Sequence, residues 1–278
     1  MYYITKKIFN NIFLLKTLKN FVCFLLKFRI ICKYKSYKKF QGGIDMAVGR
    51  RIFLKRELAN QEVIKELGEI PAANIADVME RNCAMNPRIH LVSNPQNKVM
   101  AGSALTVKVR AGDNLALHAA LNMATEGDVI VVSNEGDNTR ALMGEIMMAY
   151  LCYFKKIAGI ILDGPIRDID EIGGWNFPVY ATGTTPGGPY KEGPGEVNVP
   201  ISCGEVSVNP GDIIVADKDG IIVIPKRDSE TILAVAKKLH ANDSAKAQAA
   251  KTGSTNRDWV TKLLDEKKFE FIDDIYKY

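Results

Sequence analysis

From Glu57 onward, short apolar runs alternate with amphipathic stretches, a pattern that predicts strands and helices in turn. Asn60 to Leu67 reads as a short helix, and Pro71 opens another through Ile75, Val78 and Met79 towards Cys83. Ala104 to Val109 alternates like a half-buried strand. Gly112-Asp113-Asn114 then punctuates the chain and caps a helix running through His118 and Met123. Gly127-Asp128 turns into Val129-Ile130-Val131-Val132, a β-branched run expected of a central strand buried on both faces. A loop, a helix from about Gly144 to Lys155 and a second buried strand, Gly159 to Leu162, repeat that unit. Ile213 to Val215 and Gly220 to Ile224 read as two more strands, the second ended by Pro225. A charged, Ala-rich helix follows from Ser229 to about Thr252. Such alternation specifies an α/β fold. The Gly/Pro-rich stretch Gly183 to Pro200 is the longest loop signal, and a loop of that length is functional or interfacial unless it is a solvated excursion.

Composition changes this picture little: 47% hydrophobic and 25% charged residues exclude disorder and a disulfide mini-protein. The net charge of +5 invites a nucleic-acid reading until its distribution is examined. Residues 1–45 hold ten basic residues and one acid, Asp45, a net of +9, so the rest of the chain carries −4. A mildly acidic body has no electrostatic motive for binding phosphate backbones, and no nucleic-acid partner is expected. Within the leader, the most apolar window, Phe21 to Cys32, is broken by Lys27 and Arg29, too short a clean run for a spanning helix. No membrane partner is expected, although an amphipathic surface anchor and a transit peptide are the competing readings. Met46-Ala47 makes a natural start, which sets 1–45 apart from a functional domain over 46–240 and a helical extension over 241–278. Five Cys without a CxxC pair point to a reducing, cytoplasmic setting, and three scattered His offer no zinc motif.

Candidate chemistry concentrates in Asp163-Gly164-Pro165-Ile166-Arg167-Asp168-Ile169-Asp170-Glu171, directly after the strand 159–162. The carboxyl ends of buried strands are where α/β folds place active sites. Gly164-Pro165 enforces a rigid turn, Asp168 offers a hard oxygen ligand suited to Mg²⁺, and Arg167 offers a fork for a carboxylate. The plainer alternative is a strand-to-helix turn in which Asp168 or Asp170 caps the helix and Arg167 makes a surface pair. A helix beginning at Gly144-Glu145-Ile146-Met147 would present free amides to an anion at the same crevice. Glu145 there is equally explained as an ordinary first-turn acid. His118 is expected to be a satisfied structural histidine, Cys152 and Cys203 small core residues, and Glu196 a residue able to reach a neighbouring copy's site.

These runs, with Gly195-Glu196-Val197-Asn198-Val199-Pro200, Asn209-Pro210-Gly211-Asp212 and Ala216-Asp217-Lys218-Asp219-Gly220, resemble the RraA-like family over about 60–240. That family includes 4-hydroxy-4-methyl-2-oxoglutarate and 4-carboxy-4-hydroxy-2-oxoadipate aldolases and the regulator of ribonuclease E activity A. The resemblance implies a swivelling β/β/α domain with flanking helices, assembled as a homo-oligomer, trimer or hexamer, with sites between subunits. It implies a lyase that uses Mg²⁺, Mn²⁺ or another divalent cation to cleave a small 2-oxo acid to pyruvate and to decarboxylate oxaloacetate. By that resemblance Asp168 is the metal ligand and Arg167 binds the pyruvyl end. Gly144, Glu145, Ile146 and Met147 cradle its carboxylate, and Glu145 works on a metal-bound water. The chain departs from the family's pattern by one extra residue around Tyr153 to Lys156, where a helix bulge could displace the cradle. The competing class is a non-catalytic ribonuclease regulator, which has no need of the Arg-Asp pair. A quinone-precursor methyltransferase, another label attached to the family, lacks support because no glycine-rich nucleotide fingerprint follows the first strand.

Overall fold

The computed structural model describes residues 48–276, so the expectations for the 1–45 leader lie outside the described residues. The α/β architecture is the one the alternating pattern specifies. Four strands, β2 (Met100–Val109), β3 (Asp128–Ser133), β4 (Gly159–Asp163) and β5 (Val179–Ala181), form a parallel heart. β1 (His90–Leu91) closes one edge antiparallel to β5. On the other edge, β9 (Ile213–Ala216) pairs antiparallel with the first half of β2 and carries β10 (Ile221–Ile224) beyond it. A two-stranded ribbon, β7 (Ile201–Cys203) with β8 (Val206–Val208), lies apart from this sheet.

The apolar runs are continuous because both faces of the sheet are covered. Ile130 and Val132 of β3, with Leu105 and Val107 of β2, pack under α3 (Leu115–Met123) and the helix that starts with α4 (Glu145–Ala149). Val129 and Val131 point the other way, onto the β7–β8 ribbon and Met85 and Ile89. A third cluster sets α1 (Gln61–Leu67) and α2 (Ala72–Val78) with the long helix α6 (Ser229–Lys251) against β9 and β10. Asn60 caps α1 through its side chain, which accepts from the Glu62 amide at 3.0 Å. The expected boundary at residue 240 falls inside α6, where His240 and Asp243 both hydrogen-bond Asn74 of α2. A separate helix, α7 (Asp258–Glu266), follows. Among the described residues no helix is long and apolar enough to cross a membrane.

Two local expectations are corrected. The Gly183–Pro200 stretch is not loop throughout: Gly195–Val197 forms β6, antiparallel to residues 107–109 at the far end of β2. The helix from Gly144 does not stay α-helical to Lys155. After Ala149 it widens into a π-helical segment, Tyr150–Lys155, and ends at Lys156 in the left-handed conformation. A π turn holds one residue more than an α turn. The departure expected around Tyr153 to Lys156 falls on this segment and its left-handed end, and β4 then begins in parallel register with β3.

Candidate active site

Because β3 and β4 are parallel neighbours with Ser133 opposite Asp163, the loops leaving their carboxyl ends open on one edge of the sheet. Backbone bonds stitch these loops together. The Leu142 amide donates to the Pro165 carbonyl and the Arg167 amide to the Met143 carbonyl, both at 3.0 Å. On its other side Ile166 exchanges bonds with Gly183 and Thr185 at 3.0 and 2.9 Å. Three segments distant in sequence thus form a small continuous platform at the sheet's end.

On that platform Gly144, Arg167 and Asp168 are in contact. A Cβ on Gly144 would run into the Asp168 carboxylate and stand 2.9 Å from Arg167 Cγ and 3.0 Å from its Nε, so only glycine fits. Asp168 sits in the left-handed region at φ 62° and does not cap the short helix α5 (Ile169–Ile172) that it precedes. Its Oδ2 instead accepts the Glu145 amide across the crevice at 3.0 Å and lies 3.6 Å from Arg167 Nε. The capping alternative is therefore replaced by a bond between the two loops. The pair remains half-exposed, with side-chain accessibilities of 46% and 41%, open to a ligand.

The cradle residues separate into different environments. The Glu145 amide is spent on Asp168, and the first helical bond runs from the Met148 amide to Gly144. That leaves the Ile146 and Met147 amides at the helix start without an intrahelical partner. The Glu145 and Ile146 side chains are exposed, whereas Met147 is half-buried and receives a contact from Asn114 Nδ2 at 3.5 Å.

Two residues read from sequence only as caps hold this arrangement. Asn114 is buried, and its Nδ2 donates at 2.9 Å to the carbonyl of Leu142, two residues before Gly144. Asp113 is also buried and accepts three amides: Leu115, which it caps, and Glu192 and Gly193 of the Gly/Pro-rich loop, at 2.9, 2.7 and 2.9 Å. Burial pushes its carboxyl pKa up, but those three amides and Arg110 outweigh it and hold the group below the usual carboxylate range. The Gly/Pro loop is thereby pinned beside the site. Backbone bonds of 2.8 Å from Tyr190 to Gly112 and of 2.9 Å from Asn114 to Tyr190 reinforce it.

That loop brings in a residue the sequence reading passed over. Arg140 stacks on Tyr190 with its guanidinium carbon 4.0 Å from the ring centroid, and donates to the Gly188 carbonyl at 2.8 Å and the Tyr190 hydroxyl at 2.7 Å. Its stem crosses Gly112, where a Cβ would meet Arg140 Cδ at 3.0 Å and φ is +70°. Fifty residues separate Arg140 from Tyr190, so no local pattern signals the pair.

Other expectations move away from chemistry. Asp163 is buried and gripped by Arg88 Nε and Nη2 at 3.0 and 2.9 Å and by the Gly204 amide, a structural joint. Glu196, expected to reach a neighbouring copy, is buried and bonded to Arg51 at 2.5 Å within its own chain. His118 is not satisfied: its Nε2 is buried without a partner among the described residues, and burial together with nearby Lys191 lowers its pKa.

The chemistry of the donor set suits a hard divalent cation. Among the described residues no three His, Cys, Asp or Glu side chains converge, which disfavours an all-protein cage. Mg²⁺ needs no such cage: it takes one or two carboxylates, keeps several waters and shares oxygens with its substrate. Asp168, a half-exposed carboxylate anchored among the described residues through its Oδ2, meets that requirement.

Comparisons with known proteins identify the family and its fold. A model of the RraA-like family, described as Aldolase/RraA, matches residues 72–223. A Halalkalibacterium halodurans protein named "Putative 4-hydroxy-4-methyl-2-oxoglutarate aldolase" is 41% identical over 191 residues, covering 69% of this chain and 90% of that protein. Among solved structures, Streptomyces coelicolor RraAS2, described as an unusual member of the RNase ES inhibitor RraA protein family, is 26% identical. It superposes with a TM-score of 0.62 over 68% of this chain and 98% of that one. An uncharacterized protein of Pseudomonas syringae pv. tomato, 24% identical, shares the fold with a TM-score of 0.63 over 72% of this chain and 97% of that one. The swivelling β/β/α fold expected from the sequence is the fold of these relatives, and the chain belongs to the RraA-like, aldolase/RraA, family.

Proposed function

We propose that the chain is a divalent-cation-dependent aldolase that cleaves 4-hydroxy-2-oxo acids of the 4-hydroxy-4-methyl-2-oxoglutarate type to pyruvate and also decarboxylates oxaloacetate. The observation that carries this reading is the packing of Arg167 and Asp168 on Gly144, at the start of a helix whose next amides have no intrahelical partner. Asp168 would hold the cation, which when bound supplies Lewis-acid stabilisation of negative charge on the 2-oxo group.

In both reactions the bond between C3 and C4 breaks and its electrons move towards the 2-oxo oxygen. In the aldol cleavage C4 keeps its oxygen as a carbonyl and its hydroxyl proton passes to the water that Glu145 orients. In the decarboxylation C4 departs as carbon dioxide. Arg167, beside Asp168, places a fixed positive charge where that negative charge collects, and its fork orients the pyruvyl carboxylate. The Ile146 and Met147 amides add donors on the same side. Glu145, exposed at the mouth, orients a water that returns a proton to C3 and completes pyruvate.

The reading includes a homo-oligomer with copies meeting near the site. Ile146 (83% exposed), Tyr153 and Phe154 leave apolar surface uncovered on the helix that begins at the cradle. A ribonuclease regulator, suggested by the name of the Streptomyces relative, would not require an arginine and a carboxylate packed on a glycine.

The test is pyruvate release from oxaloacetate and from a panel of 4-hydroxy-2-oxo acids, with Mg²⁺ or Mn²⁺ titrated in. Turnover that EDTA abolishes is expected. Absence of metal-dependent turnover across the panel would overturn the proposal.

A further inference from the structure

Arg140 and Arg167 both lie close to Gly188. Arg140 Nη1 donates to its carbonyl at 2.8 Å, and Arg167 Nη1 lies 3.4 Å from where a Gly188 side chain would begin. The two guanidinium groups thus approach the same glycine of the Gly/Pro-rich loop, one at its carbonyl and the other on its Cα side. Asp168 lies beside Arg167, but Arg140 has no carboxylate partner among the described residues. Its contacts are a carbonyl, a phenol and the Tyr190 ring, while Asp137 on the same loop accepts from the Thr139 hydroxyl instead. Arg110, 5.6 Å from the Tyr190 centroid, is by contrast paired with Asp113 at 3.7 Å. In a body of net charge −4, Arg140 is thus a cation at the edge of the site without an acidic partner among the described residues.

We propose that Arg140 binds the distal carboxylate of the substrate and selects dicarboxylic 2-oxo acids over those with an uncharged tail. The inference deepens the aldolase reading and rests on it for the placement of the 2-oxo end at Arg167 and Asp168. Of its five N–H donors, Arg140 commits two, to Gly188 and Tyr190. The stack on Tyr190 holds the guanidinium plane still, so the remaining donors are directed without further ordering cost.

Arg140→Gln removes the charge and keeps a donor for the Gly188 carbonyl. Calorimetric binding of 2-oxoglutarate and 2-oxopentanoate, neither of which carries a 4-hydroxyl for cleavage, is compared in wild-type protein and variant with Mg²⁺ present. Wild type is expected to prefer the diacid, and Arg140→Gln to weaken 2-oxoglutarate about tenfold or more while changing 2-oxopentanoate less than about threefold. Turnover of 4-hydroxy-4-methyl-2-oxoglutarate against 4-hydroxy-2-oxopentanoate should show the same selective loss. Equal losses for both members of a pair, or no loss for either, would mean that Arg140 is only a clamp and would overturn the proposal. Diacid-selective binding without turnover would leave the proposal standing and defeat the aldolase reading. If Arg140→Gln does not fold, Arg140→Lys decides: kept charge with lost fork should leave part of the preference, and an unchanged preference would count against a directed guanidinium.

Discussion

Gly144 and Asp168 are packed so closely that the glycine has no room for a side chain: the Asp168 carboxylate occupies the space a Cβ would take. The Gly144 backbone is extended, at φ −141°, a conformation open to any residue, so the requirement comes from Asp168 and the adjoining Arg167 side chain rather than from the backbone. Gly144→Ala should therefore fold, with a stability cost of about 1–3 kcal/mol from overpacking. It should lose about 100-fold or more in kcat/KM as Asp168 and Arg167 are pushed aside. Thermal melting and steady-state kinetics read the two effects separately, and an Ala variant with full activity would place the site elsewhere.

Asp168→Asn separates the carboxylate's charge from its shape. Asparagine accepts the left-handed backbone as readily as aspartate and its Oδ1 can still take the Glu145 amide, so the midpoint of thermal unfolding should move by no more than about 2–4 °C. Metal-dependent turnover should fall about 1,000-fold, and Mn²⁺ binding by calorimetry should weaken with it. Asp168→Ala should be as inactive and less stable, because it loses the amide bond as well. Retained turnover in Asp168→Asn would exclude this carboxylate as the metal ligand.

His118 supplies a pH signature. Burial, followed by the charge of Lys191, lowers its pKa, so the folded chain keeps the ring neutral below the ordinary value of about 6.5 at which the unfolded chain takes a proton. Its contribution is complete above that value and is lost as pH falls from there through the depressed folded-state pKa. In urea unfolding, wild type should lose more stability between pH 7.5 and 5.5 than His118→Leu. At pH 7.5 the variant should lose little, because the buried Nε2 it removes has no partner among the described residues. Equal acid losses in the two proteins would show that His118 does not titrate as its burial requires.

The sheet was legible because its signals are local. Val129 to Val132 and Gly159 to Leu162 are apolar throughout because both faces are covered, and Asn60 caps α1 from within four residues. The juxtaposition of Gly144 with Arg167 and Asp168 could be anticipated from two strand ends that face one crevice. What escaped depends on partners far along the chain. β6 hides in a Gly/Pro-rich stretch because its pairing comes from residues 107–109. Asp113 looked like half of a helix cap, and nothing near it announces Glu192 and Gly193. Arg140 is one cation among many until Tyr190 and Gly188 are brought to it. Asp168, whose composition suits a cap, bonds the Glu145 amide because its own backbone is left-handed and its neighbour across the crevice is a glycine.

The π-helical segment Tyr150–Lys155 gives the site a tolerance to changes in chain length. Its two flanks are anchored independently: Gly144 by the Arg167–Asp168 contact, and β4 by five register pairs with β3. Between them the wide turn closes on Leu151 and is braced by Lys155, whose Nζ reaches the Asn122 and Ala124 carbonyls at the end of α3. A residue gained there changes the girth of one helical turn and leaves both anchors where they are. This connector is built as an expansion joint: its width is taken up within one helical turn, between two ends that are each fixed by their own contacts.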